Sequence, residues 1–227
     1  MSMQRIGLID YGMGNLHSVR RALERHGASI LPVEAAADMD SCEALLLPGV
    51  GAFDPAMERL QRADLVLPIR DWCQSGRPLL GICLGLQLLF DGSDEGDAEG
   101  LGVISGQVRN LQRQDGVPIP HMGWAPLRPA TPSPLVSAAP EREWMYFVHS
   151  YAAEPRDAAT ITATVAYGST TVTAAVWQGK VGACQFHPEK SSDDGQSLLK
   201  RWLRWLSAET ANAAIKADPT DRQGAWS

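Results

Sequence analysis

The chain has no run of about 18 apolar residues, which excludes a membrane-spanning helix. It also has no surplus of positive charge. Its 20 Lys and Arg face 26 Asp and Glu, for a net charge of −6. The basic residues are scattered, which argues against nucleic acid as the main partner. Cysteine is scarce: Cys42, Cys73, Cys83 and Cys184 are the whole set, with no C-x-x-C spacing among them. A zinc centre or a disulfide framework is therefore not expected, and neither a metal nor a cofactor is called for. The opening MSMQRIGLID reads as a first strand rather than a signal peptide. What remains is a chain of 227 residues with ordinary apolar content, long enough for one sizeable core and short for two.

Within that core one stretch organises the rest: Pro78-Leu79-Leu80-Gly81-Ile82-Cys83-Leu84-Gly85-Leu86-Gln87. An apolar run enters it and an apolar helical pattern leaves it. Cys83 stands between, with Gly81 two positions before and Gly85 two positions after. This is the pattern of a nucleophile elbow, a tight strand-to-helix turn that exposes a reactive side chain. The glycines remove Cβ atoms where strand and helix crowd. A thiol at a helix N-terminus is favoured as thiolate. The alternative is a buried, inert cysteine on an apolar strand.

A thiol nucleophile needs a base, and the base needs a group to hold it. The stretch Gln185-Phe186-His187-Pro188-Glu189-Lys190-Ser191 supplies both. In extended chain His187 and Glu189 point to one side, and Pro188 stiffens the pair. His187 can then face Cys83 while Glu189 holds its far ring nitrogen. A surface turn is the competing reading of His-Pro-Glu on its own.

With the elbow and the downstream FHPE in hand, the chain resembles the class I glutamine amidotransferases over roughly residues 4 to 206. Within that family it is similar to the glutaminase subunits of imidazole glycerol phosphate synthases, from histidine biosynthesis. The resemblance rests on Asp10-Tyr11-Gly12-Met13-Gly14-Asn15-Leu16, Pro48-Gly49-Val50-Gly51-Ala52-Phe53, His121-Met122-Gly123-Trp124 and Phe147-Val148-His149-Ser150-Tyr151. One departure is Ala125, where the family pattern usually has asparagine.

Strands are expected at 5–10, 29–33, 43–47 and 78–82, and helices at 15–26, at 54–74 in two pieces broken near Leu67-Pro68, and at 84–90. This alternation predicts an α/β domain with a mostly parallel central sheet flanked by helices. Ligands in such sheets bind beyond the carboxyl ends of the strands, where Gly12, Gly49 and Cys83 fall. After Gly102 short strands dominate: 103–111, 120–127, 144–148, 159–167, 171–178 and 180–186, with a hairpin over 160–178. They are expected to form a second, more antiparallel sheet. Residues 126–142 read as a surface loop and 195–206 as the last helix. Residues 1–207 then make the glutamine amidotransferase domain. The segment 208–227 is small and polar and is expected to be a disordered tail.

The resemblance implies roles for particular residues. Cys83, His187 and Glu189 would be the catalytic triad. Backbone N–H groups of Gly51 and Leu84 would form the oxyanion hole, although Pro-Gly-Val-Gly is also an ordinary strand-ending turn. Gly49, Gln87, Glu95, Ser150 and Tyr151 would contact L-glutamine, with Glu95 on its α-ammonium. Gln87 also reads as a buried amide with purely structural partners, and the acidic run 93–97 as a solvated face. Trp124, Tyr146 and Lys190 would lie at a subunit interface near the ammonia exit, although core is the commoner fate of tryptophan. His149 rivals His187 as the base but has no carboxylate two residues on.

By the same resemblance, the partner is a (β/α)₈-barrel cyclase in a heterodimer, with no nucleic acid and no membrane involved. A catalytic thiol needs a reducing compartment, so the cytoplasm is expected. Two other readings compete: a glutaminase subunit of another synthase, such as an anthranilate-type one, and a catalytically silent regulatory subunit. Anthranilate-type chains typically show PGPG, a histidine before the glutamine after the elbow, and HPES. Val50, Leu86 and Lys190 stand at those places. A glutaminase assay separates the silent subunit.

Overall fold

The centre of the fold is built from strands that are apolar on both sides. A computed structural model of the chain describes residues 3–136 and 142–217. Strand β1 (Arg5–Ile9) leads through helix α1 (Leu16–Glu24) to β2 (Ser29–Val33) and β3 (Ala44–Gly49). Helices α2 (Phe53–Arg62) and α3 (Val66–Gln74) follow, then β4 (Leu79–Cys83), which runs directly into α4 (Leu84–Leu88). Every residue of β3 and β4 is buried. Ala44 and Leu46 of β3 pack into one core cluster and Leu45 and Leu47 into the other. Strict alternation of this kind is what a sheet covered on both faces requires. Residues of α1 and of the last helix share the first cluster, and residues of α2, α3 and α4 share the second.

The later strands are β5 (Gly92–Ser93), β6 (Gly106–Asn110), β7 (His121–Pro126), β8 (Arg128–Pro129), β9 (Trp144–His149), β10 (Tyr151–Pro155), β11 (Ile161–Tyr167), β12 (Thr170–Gln178) and β13 (Val181–Cys184), before helix α5 (Ser192–Ala217). The main sheet has eight strands in the order β2-β1-β3-β4-β13-β12-β11-β8. The first five are parallel, and the last three pairings are antiparallel. Strands β10, β6 and β5 form a second sheet, and β7 and β9 a two-stranded ribbon. The chain is thus an α/β domain with a large, mostly parallel sheet and smaller sheets that are largely antiparallel.

Four sequence expectations change. The β11–β12 hairpin does not belong to a separate sheet. It extends the main one, because β13 docks in parallel on β4 and carries the hairpin with it. The break between α2 and α3 falls at residues 63–65, where Asp64 takes a φ of 53°, rather than at Leu67-Pro68. Pro68 is tolerated because it lies in the first turn of α3, where backbone N–H groups have no intrahelical acceptor. Strand β10 was not expected from its sequence, Tyr-Ala-Ala-Glu-Pro; its pairing with β6 holds it extended. Finally, α5 does not end near Leu206 but continues to Ala217. Glu209 pairs with Lys180 at 2.8 Å, and the Thr210 hydroxyl donates to the Leu206 carbonyl at 3.0 Å. The first part of the segment expected to be disordered is therefore helical, and residues 218–227 lie outside those described. Among the described residues no helix is long and apolar enough to cross a membrane.

Candidate active site

The site is assembled by strand register. In the parallel sheet Gly49 of β3 pairs with Cys83 of β4, and Cys184 of β13 pairs with Ile82. All three strands end at one edge, so Pro48-Gly49-Val50-Gly51, Cys83 and the run 185–189 emerge side by side. A pocket of about 320 Å³ lies at this edge, lined by Val50, Gly51, Cys83, Leu84, Gln87, Glu95, Val148, His149, Ser150, Tyr151 and His187 among others.

Cys83 has φ 57° and ψ −111°, a conformation that side chains rarely adopt and that the surrounding structure must hold in place. The crowding is visible at Gly85, where a Cβ would collide with the Leu47 carbonyl oxygen. At Gly81 a Cβ would lie 2.9 Å from the Gly85 carbonyl oxygen. Both glycines of the elbow motif are thus required by packing. All four cysteines are free. Burial pushes the thiols of Cys42, Cys73 and Cys184 up, Cys73 to about 12.

His187 is buried, and its Nδ1 lies 2.8 Å from Oε1 of Glu189, whose side chain is also buried. Burial pulls the imidazole pKa down, but hydrogen bonds to Cys83 and Glu189 and their negative charges outweigh it and lift it to about 9. The carboxylate meets the ring not through extended chain, as the spacing suggested, but through a short 3₁₀ turn over Pro188–Lys190 that folds Glu189 back onto His187. His149 lines the same pocket, yet its Nδ1 donates to the Tyr151 carbonyl at 2.8 Å and its Nε2 faces His121 Nδ1 at 3.2 Å. Burial drops its pKa to about 4, with the charges of His121 and His187 adding to the fall and the carbonyl opposing it.

The remaining expected residues separate into those at the pocket and those away from it. Gly51, Leu84, Gln87, Glu95, Ser150 and Tyr151 are at its wall. Glu95 is oriented by the Phe53 N–H at the start of α2, which donates to its Oε2 at 2.8 Å. Gln87 spends its amide nitrogen on the Tyr151 carbonyl at 3.2 Å and on Gln185 Oε1 at 3.1 Å. Gly49 does not line the pocket. It lies beneath it, where a Cβ would sit 2.6 Å from the Tyr11 hydroxyl and 2.9 Å from Leu84 Cβ. Trp124 is half exposed on the β7–β9 ribbon, edge-on to Tyr146 with ring centroids 6.1 Å apart, and so is not a core residue. Lys190 is exposed just past the His187–Glu189 turn.

Two residues without an assigned role belong to the site's framework. The buried Tyr11 hydroxyl donates to the Pro48 carbonyl at 3.0 Å and so holds the glycine-rich loop from below. Gln185 is fully buried and reaches both Gln87 and Cys83. The signal for Gln185 was present: a lone amide in an otherwise apolar strand must find partners. No group of side chains among the described residues is placed to hold a metal ion.

Fold and site together define an α/β protein with a thiol on a strand–helix elbow and a histidine–carboxylate pair beside it. The profile described as "Glutamine amidotransferase class-I" matches residues 7–205, and the chain belongs to that family. It is 56% identical over 201 residues to the imidazole glycerol phosphate synthase subunit HisH of Synechococcus sp. (strain CC9902), covering 88% of this chain and 94% of that one. It is also 56% identical to subunit HisH 2 of Parasynechococcus marenigrum (strain WH8102), covering 88% and 95%. Among solved structures, PurLQS from Thermotoga maritima superimposes with a TM-score of 0.69 at 21% identity, covering 90% of this chain and 100% of that one. At that identity the likeness is one of fold.

Proposed function

We propose that the chain is the glutaminase subunit of an imidazole glycerol phosphate synthase. It would hydrolyse L-glutamine to glutamate and pass the ammonia to a (β/α)₈-barrel cyclase bound as a heterodimer. The relatives named as HisH subunits support the assignment. The observation that carries the chemistry is His187, bonded to Glu189 and lining one pocket with Cys83.

In this mechanism the Cys83 thiolate attacks the side-chain amide carbon of glutamine. The oxyanion that develops is met by backbone N–H groups of Gly51 and Leu84, each worth roughly 10²–10³ in rate. His187, charged at neutral pH, donates its proton to the departing ammonia and leaves a γ-glutamyl thioester. It then takes a proton from water, and the hydroxide released attacks the thioester to give glutamate. Glu189 keeps Nδ1 protonated and the ring in place. Glu95 would receive the α-ammonium, while Gln87, Ser150, Tyr151 and the Gly49 turn complete the glutamine site. The exposed Trp124, with Tyr146 and Lys190, would face the cyclase. Such a thiol functions in a reducing compartment, which supports a cytoplasmic location.

The test is glutamate release by the chain combined with its cyclase, with and without the acceptor substrate. Glutamate should form, rise with acceptor, and vanish in Cys83→Ser. Release that survives Cys83→Ser rejects the mechanism, and release with no dependence on the cyclase rejects the assembly.

A further inference from the structure

One buried polar side chain beside the thiol has no part in that mechanism. Gln185 is 0% exposed, and its backbone N–H is fixed to the Ala174 carbonyl of β12 at 2.8 Å. Its side chain is the last link of a chain of hydrogen bonds whose directions are determined by a single backbone atom. The Tyr151 carbonyl can only accept, so the Gln87 amide must turn its nitrogen toward it. That nitrogen also lies 3.1 Å from the Gln185 side chain, which must therefore present its oxygen. The Gln185 nitrogen is then directed at Cys83 Sγ, 4.0 Å away, at the long end of an N–H···S contact. Flipping Gln87 would set its oxygen against the Tyr151 carbonyl oxygen, and flipping Gln185 would set two donors face to face. The Tyr151 carbonyl is itself held by His149 Nδ1, and His149 Nε2 in turn meets His121.

We propose that Gln185 is a positioning residue of this site. Its N–H stabilises the Cys83 thiolate, and its Oε1 locks the Gln87 amide. This rests on the reading of Cys83 as the nucleophile. With both Gln87 N–H groups committed to Tyr151 and Gln185, the Gln87 oxygen remains as its free polar atom. That point of the pocket wall therefore accepts a group with N–H to donate, an amide or an ammonium, and disfavours a carboxylate. The other ionisable groups around the thiol are His187 with Glu189 behind it, Tyr11 beneath the loop, Cys184 on β13, and Glu95 and His149 across the pocket. Among these His187 supplies the positive charge that favours the thiolate; Gln185 adds an uncharged donor on the sheet side.

The test is the pH dependence of iodoacetamide alkylation of Cys83 in the intact chain. Gln185→Met and Gln185→Leu keep the volume and remove the donor. Each should move the midpoint to higher pH and slow alkylation at pH 7 roughly tenfold, the loss of one hydrogen bond to a charged group. Unchanged midpoints in folded variants overturn the role. A measurement on the unaltered chain makes the proposal independent of how the variants fold. The Gln185 side-chain NH₂ resonance should shift with the same midpoint as alkylation, and a resonance that stays put overturns the role as well. If Cys83 is alkylated no faster than Cys42, Cys73 and Cys184, the nucleophile reading fails and the proposal with it. A reactive Cys83 with unaffected variants removes Gln185 alone.

Discussion

Two walls of one pocket carry a buried histidine each, and they have been given opposite properties. His187 is 3% exposed and its pKa is lifted to about 9; His149 is 5% exposed and its pKa falls to about 4. Burial disfavours the charged ring in both. What separates them is the company each keeps. His187 faces the Glu189 carboxylate and, when Cys83 is ionised, a thiolate, so its cation has two negative partners. His149 stands between a carbonyl and another histidine, so its cation gains one weak partner and one repulsion. The first ring is set up to hold and move a proton. The second is set up to stay neutral and to brace the Tyr151 carbonyl, from which the orientation of Gln87 follows.

The largest effect should separate these roles outright. His187→Ala should reduce glutamate release by about 10²–10⁴-fold, the usual share of a general acid–base. His149→Ala should raise KM for glutamine with a far smaller change in kcat. Steady-state kinetics of both variants with the cyclase decide it, and a reversal would exchange the assignments. Glu189→Gln comes next. With the carboxylate gone, the His187 pKa should drop from about 9 and the alkaline limb of the activity profile should retreat toward neutral pH. An unmoved limb would mean that Glu189 does not set the charge of His187.

The comparison also makes a smaller, thermodynamic prediction. Below pH 6.5 the unfolded chain protonates its equivalent of His149 while the folded chain does not, until about pH 4. Stability from this residue is therefore present above 6.5 and lost as pH falls toward 4. His187 behaves in the opposite sense. Its contribution is present below 6.5 and is lost as pH rises through about 9. Each contribution is on the order of 3 kcal/mol. Denaturation midpoints across pH should lose their acid-side slope in His149→Gln and their alkaline-side slope in Glu189→Gln. If either variant keeps both slopes, the titrating group is a different one. The smallest expected effect is chemical selectivity among the thiols. A glutamine-like electrophile should label Cys83 ahead of Cys42, Cys73 and Cys184, because burial raises the pKa of those three. Mapping the labelled peptide checks this.

Much of this was legible in the chain itself. Continuous apolar runs at 44–47 and 79–83 fixed two central strands, because a strand buried on both faces tolerates little else. The glycines around Cys83 marked the elbow, because only a missing Cβ clears the Leu47 and Gly85 carbonyls. The two-residue spacing of His187 and Glu189 placed carboxylate and ring within 2.8 Å. These features are local, and local geometry follows from neighbouring residues. The register that brings β13 beside β4, and so His187 to Cys83, depends on pairing between segments about a hundred residues apart, which no local pattern specifies. The same is true of the hairpin joining the main sheet, of β10, and of the opposite states of His149 and His187. The residue type sets only that a histidine titrates near neutral pH. Whether it is lifted or lowered depends on which charges the folded chain sets around it, and those come from strands far apart in sequence.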